Sequence, residues 1–480
     1  MAAFVFLATL VAFTAIGVAS SRARRDTTRD YLVADRRVPA WLAALSAVAT
    51  NNSGFMFVGL IGFTYAYGVQ AVWLQLGWVV GDALCWVRFH RRVRERSGDL
   101  DANGVPALVA TDERGRPDRV IAGAAALLTF FFLAGYAAAQ LQAGSTALHA
   151  LFGWDARVGA ILGAVVVVLY SFAGGLRASI WTDAAQSFVM LFAMIALLVA
   201  CALALPPSEL FAALRTEDPS LVRWMPSELA FGFPLYLLGF VFGGLGVLGQ
   251  PHILVRTMSL DDPRSIPKAR AIYFAWFVPF SIAAVLVGLY ARVLPLELVT
   301  EGTAVPDVSS LPIGELAMPA LAKSLLPDAL VGLALAGLFA ATISTADSQL
   351  LACSAAITQD LAPRWKDDYR AGKLATLAVG ALALVLALNA HEGVFSLVLM
   401  AWSALGASLG PLLVLRLAGR PVSRPTALFM MSAGVVTVFG WRALELSGAI
   451  YELLPGMTAA FAAYGLSPLL WRPARAEAAT

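Results

Sequence analysis

The stretch LFAATISTADSQLLACSAAITQDL, Leu338–Leu361, decides how the rest of the chain is read. It lies within an apolar run from Ala329 to Ala356 that is long enough to cross a bilayer as a helix, yet Thr342, Ser344, Thr345, Asp347 and Ser348 fall near its middle. Hydrocarbon tolerates such a cluster only where protein or water surrounds it. Helical spacing puts Ala341, Ser344, Thr345 and Ser348 along one stripe with Asp347 at its edge, so several oxygens converge on a point beside the helix. Oxygen ligands suit a hard cation such as sodium. Hydroxyls alone leave the matter open, because Ser and Thr in membrane helices also bond back to their own backbone or join helices together. Asp347 tips the balance: an acid at membrane depth costs at least about 2.5 kcal/mol on insertion scales and is kept because it pairs, relays protons or binds a cation.

The composition agrees with a membrane solvent. Hydrophobic residues make up 59% of the 480 positions and charged residues 14%, where a soluble domain keeps about a quarter of its residues charged. Mean hydropathy is +0.76, which makes this an all-α polytopic membrane protein. Cys85, Cys201 and Cys353 fall in apolar segments without paired spacing, so neither a disulfide framework nor a thiolate metal site is expected. His90, His149, His252 and His391 lack ligand spacing, which removes support for a metalloenzyme.

Apolar runs near 1–20, 41–67, 69–87, 119–148, 156–173, 182–205, 229–251, 270–293, 329–357, 370–391, 394–417, 425–446 and 449–471 give about thirteen spans. The first is followed, not preceded, by Arg22, Arg24 and Arg25, the polarity of a retained helix and not of a signal peptide. The loops SRARRDTTRD, RFHRRVRERSGD, VRTMSLDDPRSIPKARA, APRWKDDYRAGK and RLAGRPVSR are short and basic, whereas PPSELFAALRTEDPS and LPLELVTEGTAVPDVSS lean acidic. The positive-inside rule then places the N-terminus outside and the C-terminus in the cytoplasm, in a cell inner (plasma) membrane. Topology accounts for the Arg88–Arg96 run, so no nucleic-acid partner is expected; the partners are the lipid bilayer, a small solute and a cation.

Two spans carry breaks. ALSAVATNNSGFMFVGLIGF places Asn51, Asn52, Ser53 and Gly54 at mid-membrane, and GFVFGGLGVLGQPH clusters Gly243, Gly244, Gly246 and Gly249 ahead of Pro251. Glycine and proline permit unwinding, which frees carbonyls and helix ends for ions and solutes, although glycines also serve close helix packing. The breaks sit five spans apart, the spacing of two inverted five-helix repeats. The expected organisation is an extra helix and loop over 1–40, a first repeat over 41–205, a second over 229–417, two extra helices over 425–471 and a cytoplasmic tail over 472–480. Asp183 opens the sixth span, where it and Thr182 could equally cap a helix; Asp82 is read as structural, paired with Arg88 or a neighbouring arginine.

These residues resemble the sodium:solute symporter family, and within it most nearly the sodium/proline symporters, over roughly Tyr31 to Leu361. The markers are VADRRVPAWLAALSA leading into ATNNSG, then YSFAGGLRASIWTD, LGQPHILVRTMS and STADSQLLACSAAITQDL. The resemblance implies a core of five plus five helices with three added. It implies a sodium ion held by carbonyls at the first break, matching Ala49 and Asn52, and by Ala341, Ser344 and Thr345. It further implies, as in some relatives, a second cation position at Ser344, Asp347, Ser348 and Asp183. Arg36, Ser53, Tyr136 and Pro251 agree with the proline branch. Asn51 stands where that branch carries an Asp associated with sodium coupling, and Gly243 and Val247 stand where it carries Trp and Tyr. Losing those side chains is expected to enlarge the pocket and delete a stacking face and a hydroxyl.

The expected function is secondary active transport: sodium entry drives uptake of a small organic solute, an amino acid such as proline, by alternating access. The same fold suits another amino acid, a carboxylate or pantothenate, or proton coupling through Asp347. A solute sensor would need a separate kinase, since the chain ends at Thr480 shortly after its last span. No catalytic constellation supports an enzyme.

Overall fold

A computed structural model of the chain describes residues 1–227, 229–296, 313–389 and 394–470. The expected tail, 472–480, and most of the acidic-leaning loop after Leu294 lie outside the described residues. Those residues are helical nearly throughout, with two isolated β-bridges, Val38 with Leu260 and Thr111 with Pro117, and no strand. Helix is the solution that apolar, Ala- and Leu-rich runs reach in lipid, because each segment satisfies its own backbone.

The principal helices are α1 (Ala2–Ser20), α2 (Ala40–Asn51), α3 (Leu60–Tyr67), α4 (Ala71–Arg88), α5 (Arg119–Phe152), α6 (Ala156–Ala204), α7 (Phe233–Leu245), α8 (Pro251–Met258), α9 (Ile266–Val293), α10 (Asp328–Ala355), α11 (Tyr369–Asn389), α12 (Val394–Leu417), α13 (Arg424–Ala443) and α14 (Leu453–Leu470). Among the described residues ten helical stretches are long and apolar enough to cross a membrane, and α7 with α8 forms an eleventh that is bent by 62°. Two of the ten contain a left-handed glycine: Gly68 (φ 65) between α3 and α4, and Gly175 (φ 55) within α6. At roughly 1.5 Å per residue α6 is more than twice as long as a bilayer core is thick, so Gly175 joins two spans. A side chain there would meet Tyr31 at 2.5 Å.

The surface is that of a lipid-solvated protein. Leu203 and Phe131 are 81% and 70% exposed, while Ser344, Thr345, Asp347 and Ser348 are completely buried. This apolar-out, polar-in arrangement inverts the soluble pattern. α10 is the innermost helix; it packs against both halves of α6, against α5 and against α1.

Several boundaries differ from the sequence reading. The acidic-leaning segment after Pro206 is a helix, Pro207–Glu217, docked through buried Leu210 and Leu214. The basic run after Arg88 is also a helix, His90–Asp99, and not all of its charges are solvated: Arg94 is buried and donates to the carbonyls of Leu260 (2.5 Å) and Asp261 (3.4 Å). Arg36 is likewise buried and donates to Asp101 (2.6 Å) and to the carbonyls of Ser97 and Ala102. These arginines tie the loops of the basic side of the molecule together.

Candidate functional site

The first break falls where the sequence places it. α2 ends at Asn51, Asn52 leaves helical geometry (φ −92, ψ 60), and a wide helical turn over Phe55–Gly59 leads into α3. Gly54 is required here: its N–H donates to Gln140 Oε1 at 2.9 Å, and a Cβ would lie 2.6 Å from Thr342 Cγ2. Ser53 Oγ lies 3.2 Å from the hydroxyl of Tyr136. The second break falls at Gln250, and Pro251 opens α8, where its missing N–H costs nothing.

α10 lays its polar stripe against the first break. Ser344 Oγ lies 3.3 Å from the carbonyl of Ala49 and 3.1 Å from that of Ala341; Thr345 Oγ1 lies 2.9 Å from the carbonyl of Thr50 and 3.1 Å from that of Ala341. Each hydroxyl has one proton and two carbonyls in reach, so lone pairs are left over around a common point. Two hydroxyls and three carbonyls from two elements, all buried, form the donor set a hard monovalent cation takes. Thr50, absent from the sequence-derived set, supplies one carbonyl. The side-chain amide of Asn52 donates to Val48 O at 2.8 Å, and no hydroxyl of α10 donates to its carbonyl.

Below this point Asp183, Asp347 and Ser348 come together as expected, around a side chain the sequence reading missed. Arg256, buried in α8, donates from Nη2 to Asp183 Oδ2 (3.1 Å), to Ser179 Oγ (2.7 Å) and, closely, to Ser348 Oγ, and lies 3.9 Å from Asp347 Oδ1. Its Nη1 donates to His252 O at 2.7 Å. Ser46 donates to Asp183 (2.6 Å), Ser179 and Ser348 donate to Asp347 (3.1 and 2.8 Å), and Thr50 Oγ1 lies 3.2 Å from Ser348 Oγ. The guanidinium therefore supplies positive charge where the sequence reading put a second cation. By sequence Arg256 is one more arginine of a short basic loop; the half-helix after Pro251 carries it inward instead. Asp183 is no helix cap either, since α6 runs unbroken from Gly175 through it and Thr182 bonds back to Ala178 O at 2.8 Å.

Beside the first break lies a small pocket lined by Asn51, Ser53, Gln75, Trp78, Tyr136 and Trp402 together with Phe55 and Phe277. Gly243 and Val247 do not line it. Trp78 of α4 occupies the space at Gly243, where a Cβ would meet its ring at 2.8 Å, and Trp402 donates to Gly243 O at 2.9 Å. Trp78 stacks on Phe55 and packs against Trp402 with ring centroids 6.0 and 5.6 Å apart. The expected loss of a stacking face is thus offset by aromatics from other helices. Asp82 also departs from expectation: among the described residues it meets no arginine, but accepts from Tyr273 (2.6 Å) and Asn51 (3.4 Å).

A helical bundle with two interrupted spans, an oxygen-lined point between one break and an intact helix, and a pocket beside it defines a secondary transporter of the broken-helix class. The same fold is seen in a sodium-coupled sialic acid symporter in a substrate-bound outward-open state, with a TM-score of 0.79 at 19% identity over 99% of both chains. A nucleobase-cation-symport-1 family transporter is similar with a TM-score of 0.55, at 14% identity over 92% of this chain and 95% of that one. The chain belongs to the sodium:solute symporter family, whose model matches residues 31–434. It is 30% identical over 440 residues to a sodium/proline symporter of Haemophilus influenzae, covering 89% of this chain and 86% of that protein. It is 29% identical to a high-affinity proline transporter of Bacillus subtilis, covering 91% of each. Membership makes the chain a multi-pass carrier, not an enzyme, with sodium as the co-transported ion.

Proposed function

We propose that this chain couples one sodium ion to the inward movement of a small amino acid, proline foremost, across a plasma membrane. The observation that carries the reading is the meeting of Ser344 and Thr345 with the carbonyls of Ala49 and Thr50, because it ties a cation site to the very residues whose unwinding shapes the cavity. Sodium there orders the break; Asn51 and Ser53, one and three residues further on, then face the solute. The chemistry of the pocket lining, more than its present volume, suits a small zwitterion with an apolar ring: hydroxyls and amides from Ser53, Tyr136, Asn51 and Gln75, and aromatic faces from Trp78 and Trp402. Ala341, Ser344 and Thr345 of α10 with Ala49 and Thr50 of α2 form the ion site; Arg256 takes the place of a second ion beside Asp183, Asp347 and Ser348.

In this reading the N-terminus lies outside, residues 41–205 and 229–417 are two inverted repeats, and the loaded carrier exchanges outward and inward access by rocking one helix set against the other. At about −150 mV one sodium contributes about 3.5 kcal/mol of electrical energy, a few hundredfold accumulation of a neutral solute. The aromatic wall comes from Trp78 and Trp402 where the proline branch has its pair at the positions of Gly243 and Val247, and that change of wall favours another amino acid or a carboxylate as the second reading.

The test is labelled proline uptake into proteoliposomes under an inward sodium gradient, with potassium as control and unlabelled amino acids and carboxylates as competitors. The expected result is sodium-driven proline uptake with a sodium Hill coefficient near one. Sodium-driven uptake of a competitor but not proline would transfer the proposal to that solute; no sodium effect on any solute would refute it.

A further inference from the structure

We propose that Asp82 is a proton-binding site and that sodium entering the first break expels its proton. The other two acids described above have a basic partner, since Asp183 and Asp347 share Arg256; buried Glu452, at the start of α14, likewise pairs with Arg442 at 2.9 Å. Asp82 is 1% exposed, and among the described residues no basic side chain lies within ion-pair distance of it. Its Oδ2 accepts from the hydroxyl of Tyr273 at 2.6 Å and from Asn51 Nδ2 at 3.4 Å, and the same Asn51 nitrogen donates to the Tyr273 oxygen at 2.5 Å. Two buried oxygens at this cluster, Asp82 Oδ1 and Asn51 Oδ1, have no hydrogen-bond partner.

A buried carboxylate without a counter-charge costs several kcal/mol, and two orphan acceptors call for a donor. One proton answers both needs, since an O–H bond formed at Asp82 Oδ1 neutralises the charge and turns an acceptor into a donor. Among the described residues the surroundings offer no competitor for that role. From α9 comes Tyr273; on α4 itself stands Cys85, whose thiol points to Leu245 O (3.8 Å); α7 presents the bare backbone of Gly244, where a Cβ would lie 2.6 Å from Asp82 N. His90, of the short helix that follows α4, stacks on Trp86 at 4.1 Å, is held by Thr257 at 2.6 Å and reaches the cluster only through the Trp86–Tyr273 contact.

The cluster is wired to both ligands of the carrier. Asn51 lines the cavity, and its neighbour Thr50 presents the carbonyl that meets Thr345. Ionised Asp82 favours a cation at that carbonyl and neutral Asp82 does not, so sodium and the proton oppose each other, and by linkage each weakens the other equally. This coupling rests on the sodium site proposed above; the proton site does not.

The test uses the full chain in lipid nanodiscs. In the first arm, without sodium, infrared difference spectra between about pH 5 and about pH 8 should show a carboxylic-acid band that Asp82→Asn removes; a band unchanged in the variant would overturn the proton site. In the second arm, sodium chloride is added to weakly buffered sample with a pH indicator, choline chloride as control and radiolabelled sodium to count bound ions. Wild type should release up to one proton per sodium bound, with apparent sodium affinity tightening by up to about tenfold per pH unit across the transition. Asp82→Asn should bind sodium without release. Tyr273→Phe, which keeps the carboxyl but removes its donor, should shift the midpoint and keep the release. Sodium bound without release in wild type would overturn the coupling, and equal release from Asp82→Asn would overturn it and move the released proton to Asp347 or Asp183. A carboxyl band with no sodium bound would instead uphold the proton site and refute the sodium site.

Discussion

Replacing Thr345 separates ion ligation from packing. Its hydroxyl is buried, 2.9 Å from Thr50 O and 3.1 Å from Ala341 O, and it is one of five oxygens around the proposed sodium position. Thr345→Val keeps the volume and removes the oxygen. Deleting one partner of a buried polar contact costs about 1–3 kcal/mol, which converts to a loss in sodium affinity of roughly 5- to 150-fold. Part of that cost also falls on the sodium-free protein, where the hydroxyl serves the same carbonyls, so an effect of about tenfold is the expected outcome. Thr345→Ser retains the hydroxyl, loses only a methyl group and should stay within about threefold. The assay is radiolabelled sodium binding in nanodiscs, with solute KM at saturating sodium as the counter-measurement. Sodium affinity within about threefold of wild type in Thr345→Val would refute the ligand assignment, whatever happened to the solute.

Ser344→Ala should weaken sodium activation in the same sense and leave solute KM at saturating sodium within a factor of about two, by loss of one oxygen. Arg256→Gln leaves Asp183 and Asp347 buried without their cation and should destabilise the carrier by about 3–5 kcal/mol, read as a fall in thermal unfolding temperature in detergent, with partial recovery on adding Asp183→Asn. Gly54→Ala drives a methyl to 2.6 Å from Thr342 Cγ2 and 3.1 Å from Gln140 Oε1; overpacking of about 1–3 kcal/mol should lower both uptake and stability. Gly243→Ala presses on Trp78 at 2.8 Å, one residue layer behind the cavity, and should raise solute KM with sodium affinity unchanged.

What could be read in the sequence was whatever repeats along one helix. The α10 stripe, the Asn-Asn-Ser-Gly break and the Gly-rich approach to Pro251 all announce themselves by spacing, and each is where it was expected. Partners drawn from distant segments were not legible. Arg256 looks like one more topological arginine until the bend at Gln250 turns α8 toward the core. Asp82 looks like a partner for Arg88 because both lie on α4; only the approach of α9 reveals Tyr273. Trp78 gives no sign of filling the space opposite Gly243, because that depends on how closely α4 and α7 approach. The Thr50 carbonyl is invisible in principle, since a backbone oxygen has no letter of its own and becomes a ligand only through where α2 stops. The Thr182–Asp183 cap was a local reading defeated by Gly175, which lets helix resume at once.

That glycine also bears on the mechanics of the molecule. A turn made by one residue, pressed against Tyr31 and followed at once by hydrogen-bonded helix, has no slack to absorb rotation, so the two halves of α6 and the α10 helix they embrace are a stiff beam. The compliant joints must lie where helical bonding lapses, at Asn52 and Gln250. Hydrogen exchange should therefore be slowest at the amides flanking Gly175 and fastest, among buried amides, at those two joints, and a crosslink across either joint would arrest the carrier where one across the Gly175 turn would leave it working.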